Sequence, residues 1–131
     1  MLSSIIQLPK ILDKRGNLSI IEGLKNIPFE IKRAYWIYDV PGEEKQKGCA
    51  YRANEEFIVA LSGSFDVILD DGKEKRTYSL NRSYYGLYIP HGVWREMRNF
   101  STNSLALILA SMPDDPNDCI DNYDQFAQVI K

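Results

Sequence analysis

Cys49-Ala50-Tyr51-Arg52-Ala53-Asn54-Glu55-Glu56-Phe57-Ile58-Val59-Ala60-Leu61-Ser62-Gly63 is the stretch from which the fold is read. Glu56 to Leu61 is a run of strand-forming residues with a turn signal at Ser62-Gly63-Ser64, and Phe65 to Leu69 resumes the strand pattern beyond it. The same alternation of short apolar runs and turn signals extends in both directions. It predicts further strands over Asn17 to Glu22, Glu30 to Tyr38, Arg76 to Leu80, Gly86 to Ile89, Trp94 to Asn99 and Leu105 to Ala110. Ser62-Gly63-Ser64 and Asp70-Asp71-Gly72 read as hairpin turns, because Gly and Asp tolerate the positive φ of tight connections.

No helical period emerges until the C-terminus. After Pro113-Asp114-Asp115-Pro116, Ile120, Tyr123, Phe126 and Ile130 recur at helical spacing, which predicts one closing helix capped by Asp118 or Asp121. The expected fold class is therefore all-β, a jelly-roll β-barrel with a short C-terminal helix. With 131 residues and no linker, repeat or low-complexity tract, residues 1–131 are expected to form a single domain.

Composition narrows the function classes. A formal charge of −2 with no long basic run gives no electrostatic footprint for nucleic acid. No apolar run approaches the roughly 18 residues of a membrane span, and the N-terminal residues lack a secretory pattern, so a cytoplasmic protein with no membrane partner is expected. The chain has two cysteines, Cys49 and Cys119, far apart and in no C-x-x-C pairing, and both are expected as free thiols. Eight tyrosines and two tryptophans suit either stacking on a flat or sugar-like ligand or ordinary strand packing.

The opening stretch also fits the outline of a cupin metal-binding segment, H-x-H-x4-E-x6-G, with Cys49 and Tyr51 in the two histidine positions and Glu56 in the carboxylate position. Pro90, Gly92 and Asn99 fit the later cupin pattern P-x-G-x2-H-x3-N, in which Arg95 takes the histidine position. A guanidinium has no lone pair to give a metal, so no metal and no cofactor are expected. Further segments carry a closer resemblance: Asp13-Lys14-Arg15-Gly16-Asn17-Leu18, Asn26-Ile27-Pro28-Phe29, Ile31-Lys32-Arg33-Ala34-Tyr35, Val93-Trp94-Arg95-Glu96-Met97, Leu107-Ile108-Leu109-Ala110-Ser111 and Asn122-Tyr123-Asp124-Gln125-Phe126. From Leu8 to Phe126 the chain resembles the dTDP-4-keto-6-deoxyglucose 3,4-ketoisomerases, small cupins of deoxysugar and polysaccharide biosynthesis. The resemblance implies a cupin barrel, a nucleotide-linked deoxysugar (a dTDP-sugar) as ligand, and a homodimer.

It also implies where the chemistry belongs. Members carry G-x-H-A-H where this chain has Lys47-Gly48-Cys49-Ala50-Tyr51, so both histidines assigned to proton transfer are replaced. Moving a ketone between C4 and C3 needs a base at one carbon and a proton donor at the other, and imidazole suits both near neutral pH. Tyr51, Tyr35 and Cys49 are the candidate catalytic replacements. Arg33, Arg95, Arg15, Arg52 and Trp94 are the candidate substrate-binding residues, the arginines for phosphate and the indole for stacking.

Each has a plainer reading beside it. Cys49 is a nucleophile or a buried apolar thiol, and the second suits a chain whose single histidine, His91, reads as a surface-turn residue. Glu56 reads as an ion-paired or exposed strand residue, while Asp13 to Gly16 is either a simple turn or a pyrophosphate grip through Arg15. Three functions remain open: an isomerase-like enzyme, a non-catalytic nucleotide-sugar-binding cupin or partner subunit, and a structural dimer module without ligand, against which the retained arginines and aromatics argue.

Overall fold

The computed structural model describes residues 1–42 and 44–129. Among the described residues, twelve strands and one helix follow in chain order: β1 Ser4–Gln7, β2 Lys10–Ile11, β3 Leu18–Ser19, β4 Arg33–Tyr38, β5 Gln46–Tyr51, β6 Glu56–Ser62, β7 Phe65–Asp70, β8 Lys75–Leu80, β9 Tyr85–Ile89, β10 Trp94–Arg98, β11 Leu105–Ala110, β12 Cys119–Ile120 and α1 Tyr123–Val129. They form two five-stranded antiparallel sheets, β1-β9-β6-β11-β4 and β12-β5-β10-β7-β8, and a two-stranded ribbon β2-β3. This is the jelly-roll cupin architecture that the strand pattern predicts.

The five residues Glu56 to Ala60 are all buried because β6 is covered on both faces. Ile58 and Ala60 face the core between the sheets, where they meet Val67, Leu69, Leu87, Met97 and Ile108. Phe57 and Val59 face the other way, under Leu8, Ile27 and Phe29 from the N-terminal segment that crosses the outer surface of the first sheet. Burying a side chain such as Phe57 is worth about 1.5–3 kcal/mol, and truncating it to Ala costs about 3–5 kcal/mol with the cavity included. Glu56 lies on the inward face with Ile58 and Ala60, which delivers a carboxylate to one end of the core.

Several expectations are corrected. Ser62-Gly63-Ser64 does not close a hairpin: β6 pairs with β9 and β11, and β7 with β8 and β10, so the turn carries the chain from one sheet to the other. Gly63 has φ +67°, and a Cβ there would lie 2.5 Å from Ser101 Oγ and 2.8 Å from Ser104 Cα, so the crossing requires glycine. Asp70-Asp71-Gly72 does join paired strands, β7 and β8, with Asp71 Oδ1 accepting hydrogen bonds from the Lys73 and Glu74 amides.

The region Asn17 to Glu22 contributes only Leu18–Ser19, because the following residues are drawn away to cover the first sheet. Strands β1, β2, β5 and β12 lie outside the segments expected as strands; their partners hold them in place rather than their own apolar content.

The helix cap also differs. Asn122 Oδ1 accepts from the Gln125 amide, making Asn122 the N-cap. Asp118 instead accepts from the Ala53 and Asn54 amides, and Asp121 pairs with Lys47. Ile130, the last residue of the expected helical period, lies outside the described residues. Among the described residues of α1, Phe126 is the buried one, and it packs against Ala50, Trp94 and Ile120.

Candidate ligand-binding site

Strand alternation places the site. On β10, Arg95 and Met97 point into the sandwich while Trp94 and Glu96 point out. On β5, Lys47, Cys49 and Tyr51 share the inward face, and Cys49 is the registered partner of Arg95. From the opposite sheet come Tyr35 of β4 and Glu56 of β6. These side chains enclose a cavity of about 420 Å³ lined by Tyr35, Ile37, Cys49, Tyr51, Arg95 and Cys119, with Gln46, Lys47, Gly48 and Asp121 completing it.

At its base lies a buried polar network. Arg95 Nε and Nη2 each lie 2.8 Å from Glu56 Oε1, Tyr35 Oη donates to Glu56 Oε2 at 2.5 Å, and Arg95 Nη2 donates to Tyr35 Oη at 2.9 Å. The two ionic side chains are 7% and 1% exposed, so the pair is cut off from solvent and each charge depends on the other. Burial opposes the guanidinium charge, but Glu56 and the two neighbouring phenols together outweigh it and raise the Arg95 pKa. Burial also pushes the Tyr35 phenol far up, against the opposing pull of Arg95 and with further help from Glu56. Tyr35 therefore stays a hydroxyl donor across the neutral range.

Two further pairs frame the cavity. Lys47 Nζ donates to Asp121 Oδ2 at 2.9 Å, and this bond holds the Asp121 carboxyl below its ordinary range. Cys49 and Cys119 form a disulfide with Cα atoms 5.8 Å apart, which corrects the expectation of two free thiols. The pairing of β12 onto β5 opposes Cys119 to Tyr51 and so brings together residues 70 positions apart in sequence.

The other candidates lie elsewhere. Trp94 faces outward beneath α1, with its ring centroid 5.4 Å from Tyr123 and 5.8 Å from Phe126, because it alternates with Arg95. Gly48 makes room for it: a Cβ at that position would lie 2.3 Å from the indole. Arg33 does not line the cavity but stacks 5.1 Å over the ring of Tyr35, which does, and pairs with Asp114 at 2.8 Å. Arg15 sits in the β2–β3 turn, its side chain 90% exposed and bound to Asp13. Arg52 and His91 are exposed just beyond β5 and just before β10. Ile37, Gln46, Lys47, Gly48, Cys119 and Asp121 line the cavity without having been expected in the site. For Lys47 the signal was present, since it precedes Cys49 and Tyr51 at strand spacing.

A cupin metal does not fit this donor set. Glu56 is occupied by Arg95 and Tyr35, Cys49 is bonded to Cys119, and a cation stands in the last ligand position. Among the described residues no cluster of three or more His, Cys, Asp or Glu side chains is placed to hold a metal ion.

A jelly-roll barrel with a polar pocket between its two sheets defines a cupin, and comparison with known proteins narrows the class. The family described as FdtA, WxcM-like, C-terminal, matches residues 1–131. A TDP-4-oxo-6-deoxy-alpha-D-glucose-3,4-oxoisomerase from Aneurinibacillus thermoaerophilus is 43% identical over 130 residues, covering 99% of this chain and 94% of the relative. A 3,4-ketoisomerase structure from Helicobacter canadensis superposes with a TM-score of 0.96 at 38% identity, over 99% of this chain and 98% of that one. A mutant of the 3,4-ketoisomerase QdtA from Thermoanaerobacterium thermosaccharolyticum, in complex with TDP-4-keto-6-deoxyglucose, gives 0.95 at 35% identity, over 98% and 93% of the two chains. The chain belongs to this FdtA and WxcM-like family and is an isomerase-like cupin of deoxysugar biosynthesis.

Proposed function

We propose that the chain binds a TDP-linked 4-keto-6-deoxy sugar in the cavity between Tyr35, Tyr51 and Arg95, and that its ketoisomerase turnover is far below that of a histidine-bearing site. The observation that carries this reading is the state of the groups in the two replaced positions and around them. The Cys49 sulfur is held in a disulfide, the Tyr35 phenol is fixed as a donor, and the Arg95 guanidinium is spent on Glu56. None of these three is a base matched to neutral pH. Tyr51 is the one phenol of the pocket outside this hydrogen-bonded set and is the residue assigned to any residual proton transfer.

Arg95 and Glu56 neutralise each other, so recognition of a diphosphate falls to Lys47, which would exchange Asp121 for phosphate, and to Arg33 over the Tyr35 ring. Both lie in partly exposed ion pairs that can be exchanged at small cost. The TDP-sugar complex of the 35% identical QdtA supports this ligand class. Calorimetry with TDP tests the reading: binding that weakens with salt, and again on Lys47→Ala and Arg33→Ala, is expected. No heat of binding for TDP or its keto sugar would overturn it.

The chain is taken as a single cupin domain over residues 1–131 acting in the cytoplasm; no described helix is long and apolar enough to cross a membrane. A homodimer is assigned through the outer face of β4 and the β2–β3 ribbon. Trp36 and Tyr38 are 58% and 61% exposed there, with Ile11, Leu12 and Leu18 exposed on and beside the ribbon. An isolated two-stranded ribbon is marginal in water, and a second copy would cover both surfaces. Light scattering decides it, with a dimer expected and a monomer at micromolar concentration contradicting it.

A further inference from the structure

The Cys49–Cys119 bond stands in the wall of the cavity rather than in the hydrophobic core. It links β5 to β12, and that seam has other fastenings. Backbone pairing joins Cys119 to Tyr51 and Ile120 to Ala50, and Asp118 accepts from two backbone amides of the 52–54 turn. Lys47 binds Asp121, and Ile120 and Phe126 pack on Ala50 and Trp94. These contacts also join β12 and α1 to β5, so the sulfur bridge is one of several fastenings of the seam.

We propose that Cys49 and Cys119 form a reversible thiol–disulfide modification site within the cavity, opened by low-molecular-mass thiols or dithiols and closed by their disulfides. Access favours attack on one sulfur: Cys119 is half-buried whereas Cys49 is 7% exposed. A reductant thiolate attacks Cys119 Sγ, the S–S bond breaks, and Cys49 Sγ leaves with the electron pair. Cys49 is the registered partner of Arg95, so the departing sulfur is released on the cavity side of β5, at the polar end of the pocket. A second reductant thiol attacks the mixed disulfide and releases Cys119. The net change is reduction of one protein disulfide to two thiols and oxidation of two reductant thiols to one disulfide. In the oxidised state the wall is a covalent bridge; in the reduced state two thiols face Tyr51 and Arg95. The sulfur chemistry does not depend on which ligand the cavity takes.

Maleimide labelling read by intact mass tests it on the full-length protein. Before reduction the native protein should take up no label; after dithiothreitol both cysteines should label, with far- and near-ultraviolet circular dichroism retained. Oxidised glutathione should then restore the unlabelled state. The Cys49→Ser/Cys119→Ser variant should fold and melt like the reduced wild type, which separates loss of the bridge from loss of the fold. The proposal is overturned if the thiols label before reduction and still do so after oxidation. It is equally overturned if reduction or the double substitution abolishes the near-ultraviolet signal, because the bond would then be a structural staple.

Discussion

Replacing Glu56 by Gln tests the buried network that shapes the cavity. The carboxylate is 1% exposed and receives Arg95 Nε and Nη2, each at 2.8 Å, and the Tyr35 hydroxyl at 2.5 Å. An amide of the same shape removes the negative charge and leaves a guanidinium, itself 7% exposed, without its counter-ion. Breaking a buried pair from one side costs about 3–5 kcal/mol, a third or more of the total stability of many domains, which lies at about 5–15 kcal/mol.

The two halves of the pair are not equivalent. After Arg95→Met the stranded carboxylate can take a proton, whereas after Glu56→Gln the guanidinium cannot lose one. Glu56→Gln should therefore cost more than Arg95→Met, and the cost of Arg95→Met should shrink as pH falls. The double variant should lose less than the sum of the single losses, because neither charge is then left alone. Urea unfolding followed by circular dichroism measures all three, with unchanged m-values showing that the compactness of both states is preserved. A loss under about 1 kcal/mol for Glu56→Gln, or strictly additive losses, would refute the claim that the two side chains depend on each other.

Other outcomes follow from single positions. The raised Tyr35 pKa stabilises the fold fully below the unfolded tyrosine value of about 10, and that stability is lost as pH rises above it, by up to about 1.4 kcal/mol per pH unit. Unfolding curves between neutral and alkaline pH should show this decline in the wild type and a shallower one in Tyr35→Phe; equal slopes would contradict it. Gly48→Ala should displace the Trp94 ring, costing about 1–3 kcal/mol and shifting tryptophan emission, with unchanged emission and stability as the contrary result. Elemental analysis of the purified protein should find no stoichiometric iron, zinc or manganese, and a full equivalent of any of them would show that other donors replace the lost imidazoles.

Much of the barrel is legible in the chain because β6, β7 and β11 carry their own signal in runs such as Phe57 to Leu61 and Leu105 to Ala110. Strand β5 is different: Gln46-Lys47-Gly48-Cys49-Ala50-Tyr51 has no β-branched residue and is a strand because β10 and β12 pair with it. The same non-local pairing hides the chemistry of the site. Nothing near Cys49 announces Cys119, and although Glu56 and Arg95 occupy positions of one cupin ligand pattern, nothing in the chain shows that they bind each other across 39 residues. The guanidinium expected to bind phosphate is instead paired with Glu56 at 2.8 Å. The expectation of Trp94 in the site beside Arg95 fails on a rule readable in the chain itself, because adjacent strand residues face opposite ways.

The central claim is that loss of the two imidazole positions, rather than loss of the pocket, separates this chain from ketoisomerase turnover. Its most direct test is NMR analysis of TDP-4-keto-6-deoxyglucose incubated with equal amounts of wild type and of Cys49→His/Tyr51→His. General acid–base groups typically contribute about 10² to 10⁴-fold, so the histidine-bearing variant should form the 3-keto product at least about 10²-fold faster than the wild type. Wild-type turnover as fast as that of the variant would contradict the account and make Tyr51 a working base.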